Sequence, residues 1–119
     1  MEKFKSAKIL RIYLSNTDKL KHESAYEVLA FAAKKAGLAG VTAYKGIMGY
    51  GSSSELSSDK FWTFSEKIPV TIEIIDTEEK IKSFLDQILP LIDAMKKGCL
   101  ITLQDTLIVL SKKGDKNSK

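Results

Sequence analysis

Apolar and polar residues alternate from Ala7 to Leu14, with Leu10, Ile12 and Leu14 on one side and Ile9, Arg11 and Tyr13 on the other. A period of two predicts a strand with one wholly apolar face and one mixed face. Ser15-Asn16-Thr17-Asp18 supplies the turn and cap residues that break it. The period then changes. Ala25, Leu29, Ala32 and Ala36, with Val28 beside them, recur at helical spacing and predict a helix over residues 22–36. Gly37 stands where a left-handed terminator belongs. The alanines suit close packing on a sheet, and equally reflect plain helix propensity.

Residues 41–50 predict a second strand and residues 68–75 a third. In the third, Ile68, Val70, Ile72 and Ile74 share one face, and Thr71, Glu73 and Ile75 the other. Pro69 is tolerated at its start, where no amide need enter the ladder. Asp76 with Glu79 has the spacing of a capping pair. Ile81, Phe84, Leu85, Ile88, Leu89, Ile92 and Met95 then form a second helical stripe. Pro90 lies inside it and predicts a kink or break near residues 86–90. Lys96 and Lys97 suit the helix C-terminus, and Gly98 its end. Residues 99–103 and 106–110 are two short apolar runs interrupted by Gln104-Asp105.

The order β-α-β-loop-β-α-β predicts an α+β fold of the ferredoxin-like βαββαβ kind. It has a four-stranded antiparallel sheet and two helices on one face. The 119 residues make one domain, with a core over 7–110, a long connection over 51–67 and a frayed tail over 111–119. The sheet face away from the helices carries Ile9, Tyr13 and Ile75. An open apolar face implies a partner, and self-association is the simplest one.

Composition narrows the chemistry. Charged residues make up 29% and the net charge is +4, carried by 18 lysines and the single arginine Arg11. The lysines are scattered and partly terminal, unlike the clustered arginines of nucleic-acid readers. Ile72, Ile74 and Ile108 offer none of the exposed aromatics that an RNA-binding sheet needs, so no nucleic-acid partner is expected. Cys99, the only cysteine, permits no internal disulfide and sits in an apolar run. With His22 the only histidine, a zinc site or Cys-His pair is poorly supported. No apolar run reaches the roughly 18 residues of a membrane span. Met1-Glu2-Lys3-Phe4-Lys5 lacks the apolar segment of a signal peptide. Membrane insertion is therefore not expected, and the expected location is cytoplasmic.

Lys45-Gly46-Ile47-Met48-Gly49-Tyr50-Gly51 places three glycines within six residues at the end of the second strand. The spacing matches neither a dinucleotide fingerprint nor a Walker loop. By pattern alone it is either a bulged strand end or a place where a ligand approaches the backbone. The serine-rich connection that follows is long enough to suggest a functional loop, mobile until a ligand orders it. Its Phe61, Trp62 and Phe64 either anchor it to the core or stack on a ligand or partner.

The Gly49-Tyr50-Gly51 segment with its long loop, followed by Pro69-Val70-Thr71-Ile72-Glu73-Ile74-Ile75-Asp76, resembles the PII signal-transduction proteins. Gly98-Cys99-Leu100-Ile101-Thr102-Leu103-Gln104-Asp105 resembles that family's stretch after the second helix. The Gly46-Ile47-Met48-Gly49-Tyr50-Gly51 string with Pro69 is closer still to an uncharacterised PII-like subfamily, and the similarity runs over residues 7–110. The resemblance implies a homotrimer with inward-facing sheets. It also implies ADP or ATP bound as a ligand between subunits, with no obligatory cofactor and no metal. A mobile T-loop would signal to an unspecified target protein. The implied nucleotide-binding residues are Ile47, Met48, Gly49, Tyr50 and Gly51 at the T-loop base, Glu73 and Ile75 beside the adenine, and Gly98, Cys99 and Leu100 on the phosphate side. The family's lysine after Gly98 has no counterpart, and its two basic residues in the last strand are replaced by Leu107 and Val109. Lys45, Lys96, Lys97 and Lys112 are the alternative sources of charge.

Two other readings compete with this regulator. Acylphosphatases share the βαββαβ layout and use an arginine and an asparagine. Arg11 and Asn16 exist here, but in surroundings unlike that phosphate loop, and no other catalytic constellation is evident, so catalysis is not expected. The remaining alternative is a trimeric scaffold or a protein of the metal-tolerance type, which shares the architecture.

Overall fold

The structure, a computed structural model, describes residues 2–49, 57–58 and 67–114. In chain order the elements are β1 (Glu2–Ser15), β2 (Lys19–Leu20), β3 (Glu23–Ser24), α1 (Ala25–Lys35), β4 (Gly40–Lys45), β5 (Met48–Gly49), β6 (Ser57–Ser58), β7 (Pro69–Asp76), α2 (Glu78–Asp93) and β8 (Leu100–Ser111). Four of the strands form the main sheet in the order β4-β7-β1-β8, every pair antiparallel. This is the ferredoxin-like arrangement, with β1 and β7 in the middle and the two crossover helices on one face.

The core follows the period-two pattern. Leu10, Ile12 and Leu14 of β1 and Val70, Ile72 and Ile74 of β7 are buried. They meet Ala25, Leu29 and Ala33 from α1 and Ile81, Phe84 and Ile88 from α2. Small residues on α1 let that helix lie close to the sheet. The buried stripe runs through Ala33 rather than Ala36, which caps the helix in the open.

Several local expectations change. The first helix begins at Ala25, not near His22. Lys19–Leu20 and Glu23–Ser24 pair as a hairpin whose two central residues are Lys21 and His22. Their φ angles are 48° and 75°, the left-handed geometry that a two-residue hairpin demands. Gly37 is left-handed as expected, at φ 77°. The N-cap of α2 is Thr77, whose hydroxyl accepts from the Lys80 amide, so the cap is one residue beyond Asp76. Asp76 is buried and ties two connections together: its carboxylate accepts from Ala39 N–H at 2.9 Å and Thr77 N–H at 2.6 Å. The helix runs unbroken through Pro90 to Asp93, and Lys96 and Lys97 lie beyond it.

The second strand is shorter than predicted, ending at Lys45 before Gly46 and Ile47. The last strand is longer, because Gln104-Asp105 does not interrupt β8. Both polar residues find partners across the ladder. Gln104 accepts from Arg11, and Asp105 pairs with Lys8, the residue directly opposite it. β1 and β8 also stay paired out to Glu2 and Ser111, beyond the Lys8–Asp76 pair that ends the contact with β7.

The packing predicts a cost. Ile72 is fully buried between both helices' apolar faces. Ile72→Ala is expected to lower unfolding free energy by about 2–5 kcal/mol, read by denaturant titration. A loss below about 1 kcal/mol would contradict this core.

Candidate functional site

β4 ends with Lys45 opposite Val70. One residue on, Gly46 N–H still donates to the Pro69 carbonyl at 2.7 Å. A Cβ on Gly46 would stand 3.0 Å from Pro69 Cγ, a tight contact to which the proline ring would have to yield by a few tenths of an ångström. Ile47 and Met48 follow, 68% and 48% exposed. Met48–Gly49 then pairs with Ser57–Ser58 in a small ribbon separate from the main sheet. The chain re-enters at Ile68, whose N–H donates to Asn16 Oδ1 at 2.7 Å and whose carbonyl accepts from Asn16 N–H at 2.9 Å. Tyr50 and Gly51 lie outside the described residues, as do Phe61, Trp62 and Phe64 and most of the 51–67 connection whose mobility the sequence suggests.

The second predicted segment, Gly98, Cys99 and Leu100, leads into β8. Gly98 and Leu100 are exposed, whereas Cys99 packs partly against the core. Burial first, and the negative charge of Asp18 second, push the Cys99 thiol up to about 11. A thiol held there is protonated at neutral pH.

The register fixes how these segments relate. Leu100 lies opposite Tyr13, Tyr13 opposite Thr71, and Thr71 opposite Tyr44. The base of the glycine segment and the start of β8 are therefore at the same end of the sheet but on opposite edges. Three strand spacings separate them, about 14 Å. Glu73 and Ile75 are farther along β7, roughly 14 and 20 Å from Pro69 at about 3.4 Å per residue. One chain thus holds the predicted site residues in three places.

Glu73 occupies the middle of the open face, where it accepts from Arg11 Nε at 3.0 Å and from Tyr44 O–H at 2.7 Å. Arg11 Nη1 continues to Gln104 Oε1 at 2.6 Å. One side chain from each of the four strands enters this row. The bond from Tyr44, then those to Arg11, hold the Glu73 carboxyl below its ordinary 4.5 against the opposing effect of burial. The same bond to Glu73, with burial and the carboxylate charge, raises the Tyr44 phenol above 10, partly offset by Arg11. Ile75 sits two pairs further along the ladder, opposite Ile9. Arg11, Tyr44 and Gln104 were not evident as a unit from sequence, because only register shows that they face Glu73. Arg11 and Asn16, the acylphosphatase-type pair, are both engaged elsewhere, with Glu73 and Ile68. Among the described residues no cluster of His, Cys, Asp or Glu is placed to hold a metal, and no helix is long and apolar enough to cross a membrane.

The sequence model of DUF190, described as "Uncharacterized ACR, COG1993", matches residues 7–108. The chain belongs to the DUF190 family. It is 38% identical over 102 residues to a UPF0166 protein of Aquifex aeolicus, covering 86% of this chain and 92% of that one. It is 40% identical over 99 residues to a UPF0166 protein of Methanocaldococcus jannaschii, covering 83% and 88%. The fold of this chain is PII-like. CPII, a nitrogen regulatory PII-like protein from Thiomonas intermedia K12 solved with ADP, AMP and bicarbonate, superposes with a TM-score of 0.67 at 19% identity, over 91% of this chain and 92% of that one. A Thermus thermophilus chain designated PII-like gives 0.65 at 16% identity, over 91% and 94%.

The polar row carries a titration test. Because the Glu73 carboxyl is depressed, its contribution to stability is complete above the ordinary 4.5 and is lost as pH falls through the lowered value. In Glu73→Gln, the Tyr44 phenol is expected to titrate closer to 10 than in the wild type, read by ultraviolet absorbance. An unchanged Tyr44 titration would show that Glu73 does not raise it.

Proposed function

We propose that this DUF190 chain is a cytoplasmic, non-catalytic PII-like regulator. It forms a homotrimer, binds an adenine nucleotide, ADP or ATP, between subunits, and signals to a target protein through the 51–67 connection. The observation that carries the reading is the register. The strand ends that lead to Ile47–Gly49 and away from Gly98–Leu100 lie at one end of the sheet on opposite edges, which supports a site formed where two chains meet. Glu73 and Ile75 join such a pocket only in an assembly. The same reading takes Tyr50 and Gly51, which lie outside the described residues, as ligand contacts on the strength of the sequence resemblance.

The ligand class is supported by CPII, the PII-like protein solved with ADP and AMP. Backbone amides of a glycine-rich turn hold a phosphate without a motif lysine. The open face supports self-association. It presents Ile9, Tyr13 and Ile75 around a hydrogen-bonded polar row in which Arg11 and Glu73 pair with each other. Covering this row therefore leaves no charge unpaired.

Calorimetry against ADP, AMP, ATP and cyclic dinucleotides tests the ligand. Gly49→Val is expected to abolish ADP binding while trimer mass and melting are retained. Unchanged affinity in a folded mutant trimer would refute the placement. No affinity of the wild type for any adenine nucleotide would reject the nucleotide reading and favour a trimeric scaffold. Ile75→Lys is expected to break the trimer, because it sets an unpaired charge in the covered face. Light scattering that gives a monomer mass for the wild type at micromolar concentration would overturn the assembly.

A further inference from the structure

The turn after β1 is braced from several sides. Asp18 is buried, its carboxylate accepts from Ser15 N–H at 2.9 Å, and its own N–H donates to the Ser15 carbonyl at 3.1 Å. The Asp18 carbonyl takes the N–H of Ala25, the first residue of α1, at 2.8 Å. Asn16 is carried on this turn and makes two hydrogen bonds to Ile68, one from its backbone and one through its side chain. The side-chain bond has a local cause. β7 starts at Pro69, opposite Ser15, and proline has no N–H to give. The next amide outward is that of Ile68, and the Asn16 carboxamide supplies the acceptor that a longer β1 would have supplied. Pro69, held in this way, in turn accepts from Gly46 N–H at 2.7 Å and fills the space beside that glycine. Both legs of the long connection are thereby tied to one turn.

We infer that Asn16 is a positioning residue: through Ile68, Pro69 and Gly46 it fixes the two legs of the connection and so sets the nucleotide affinity of the segment that begins at Ile47. The inference rests on the function proposed above. Asn16 acts at a distance, by holding the strand end from which that segment departs. An alanine at position 16 leaves Ile68 N–H without its acceptor, whereas an aspartate keeps an oxygen in the same place.

The test compares Asn16→Ala and Asn16→Asp in the full chain by three measurements: amide hydrogen exchange, ADP titration and mass. In Asn16→Ala the Ile68 amide is expected to exchange about three- to tenfold faster, the span of one lost hydrogen bond. Exchange at Ile72 and Ile74 should stay unchanged. The ADP dissociation constant is expected to rise by a similar factor at unchanged mass. Asn16→Asp is expected to return both quantities to the wild-type range. A folded Asn16→Ala with wild-type ADP affinity overturns the inference, whatever its exchange. So does an Asn16→Asp as impaired as the alanine variant. If Asn16→Ala does not fold, Asn16→Ser, whose hydroxyl is too short to reach Ile68, is judged by the same outcomes. If the wild type binds no adenine nucleotide, the functional reading fails separately. The anchoring role is then decided by Ile68 exchange alone: faster exchange sustains it and an unchanged rate removes it.

Discussion

Two crossovers put α1 and α2 on the same face of the sheet, and this forces β1 and β7 to treat their two faces differently. Toward the helices both strands present only apolar side chains, from Leu10 to Leu14 and from Val70 to Ile74. Away from the helices the rows vary. Ile9 with Ile75 is apolar, Arg11 with Glu73 is ionic, and Tyr13 with Thr71 is mixed. The ionic row is the one that needed help. A guanidinium and a carboxylate on a bare sheet face would each compete for water, but Tyr44 and Gln104 reach in from the outer strands and give each a further hydrogen bond. The result is a face that another surface can cover.

The alternating strands and the stripe of α2 were legible in the sequence because each depends on its own residues. Ile72 and Ile74 are buried in any register that keeps their side of β7 against a helix. What was not legible depends on partners distant in the chain. Gln104-Asp105 looks like an interruption until Arg11 and Lys8 are found across from it. His22 looks like the first turn of a helix because nothing local marks Lys21-His22 as a hairpin turn; both residues accept a left-handed backbone without being glycine. Pro90 sits inside α2 without ending it, on an exposed side of a helix that packing holds in place.

The glycine segment was legible as a place and only partly as a function. Of its three glycines, Gly46 has a packing reason, since the Pro69 ring crowds the place a Cβ would take. That requirement comes from Pro69, more than twenty residues later, and no local pattern expresses it. The same holds for Asn16, whose side chain substitutes for a strand that has ended. The candidate site is divided for a related reason: β4 and β8 are the two edges of the sheet, and sequence order says nothing of which edge faces which neighbour.

The engagement of Arg11 has a consequence for how this chain meets anions. Its guanidinium is the only planar, forked donor the protein owns, and two of its three nitrogens are engaged by Glu73 and Gln104. A phosphate arriving elsewhere meets lysine ammonium groups and backbone amides. Ammonium groups are compact, strongly hydrated point charges that register how much negative charge is present more than how its oxygens are arranged. Contacts of that kind fade with added salt. Under the function proposed above, selectivity among phosphate-bearing molecules rests on the apolar and hydrogen-bonding surroundings of the base, and on ionic strength, more than on the shape of the phosphate itself.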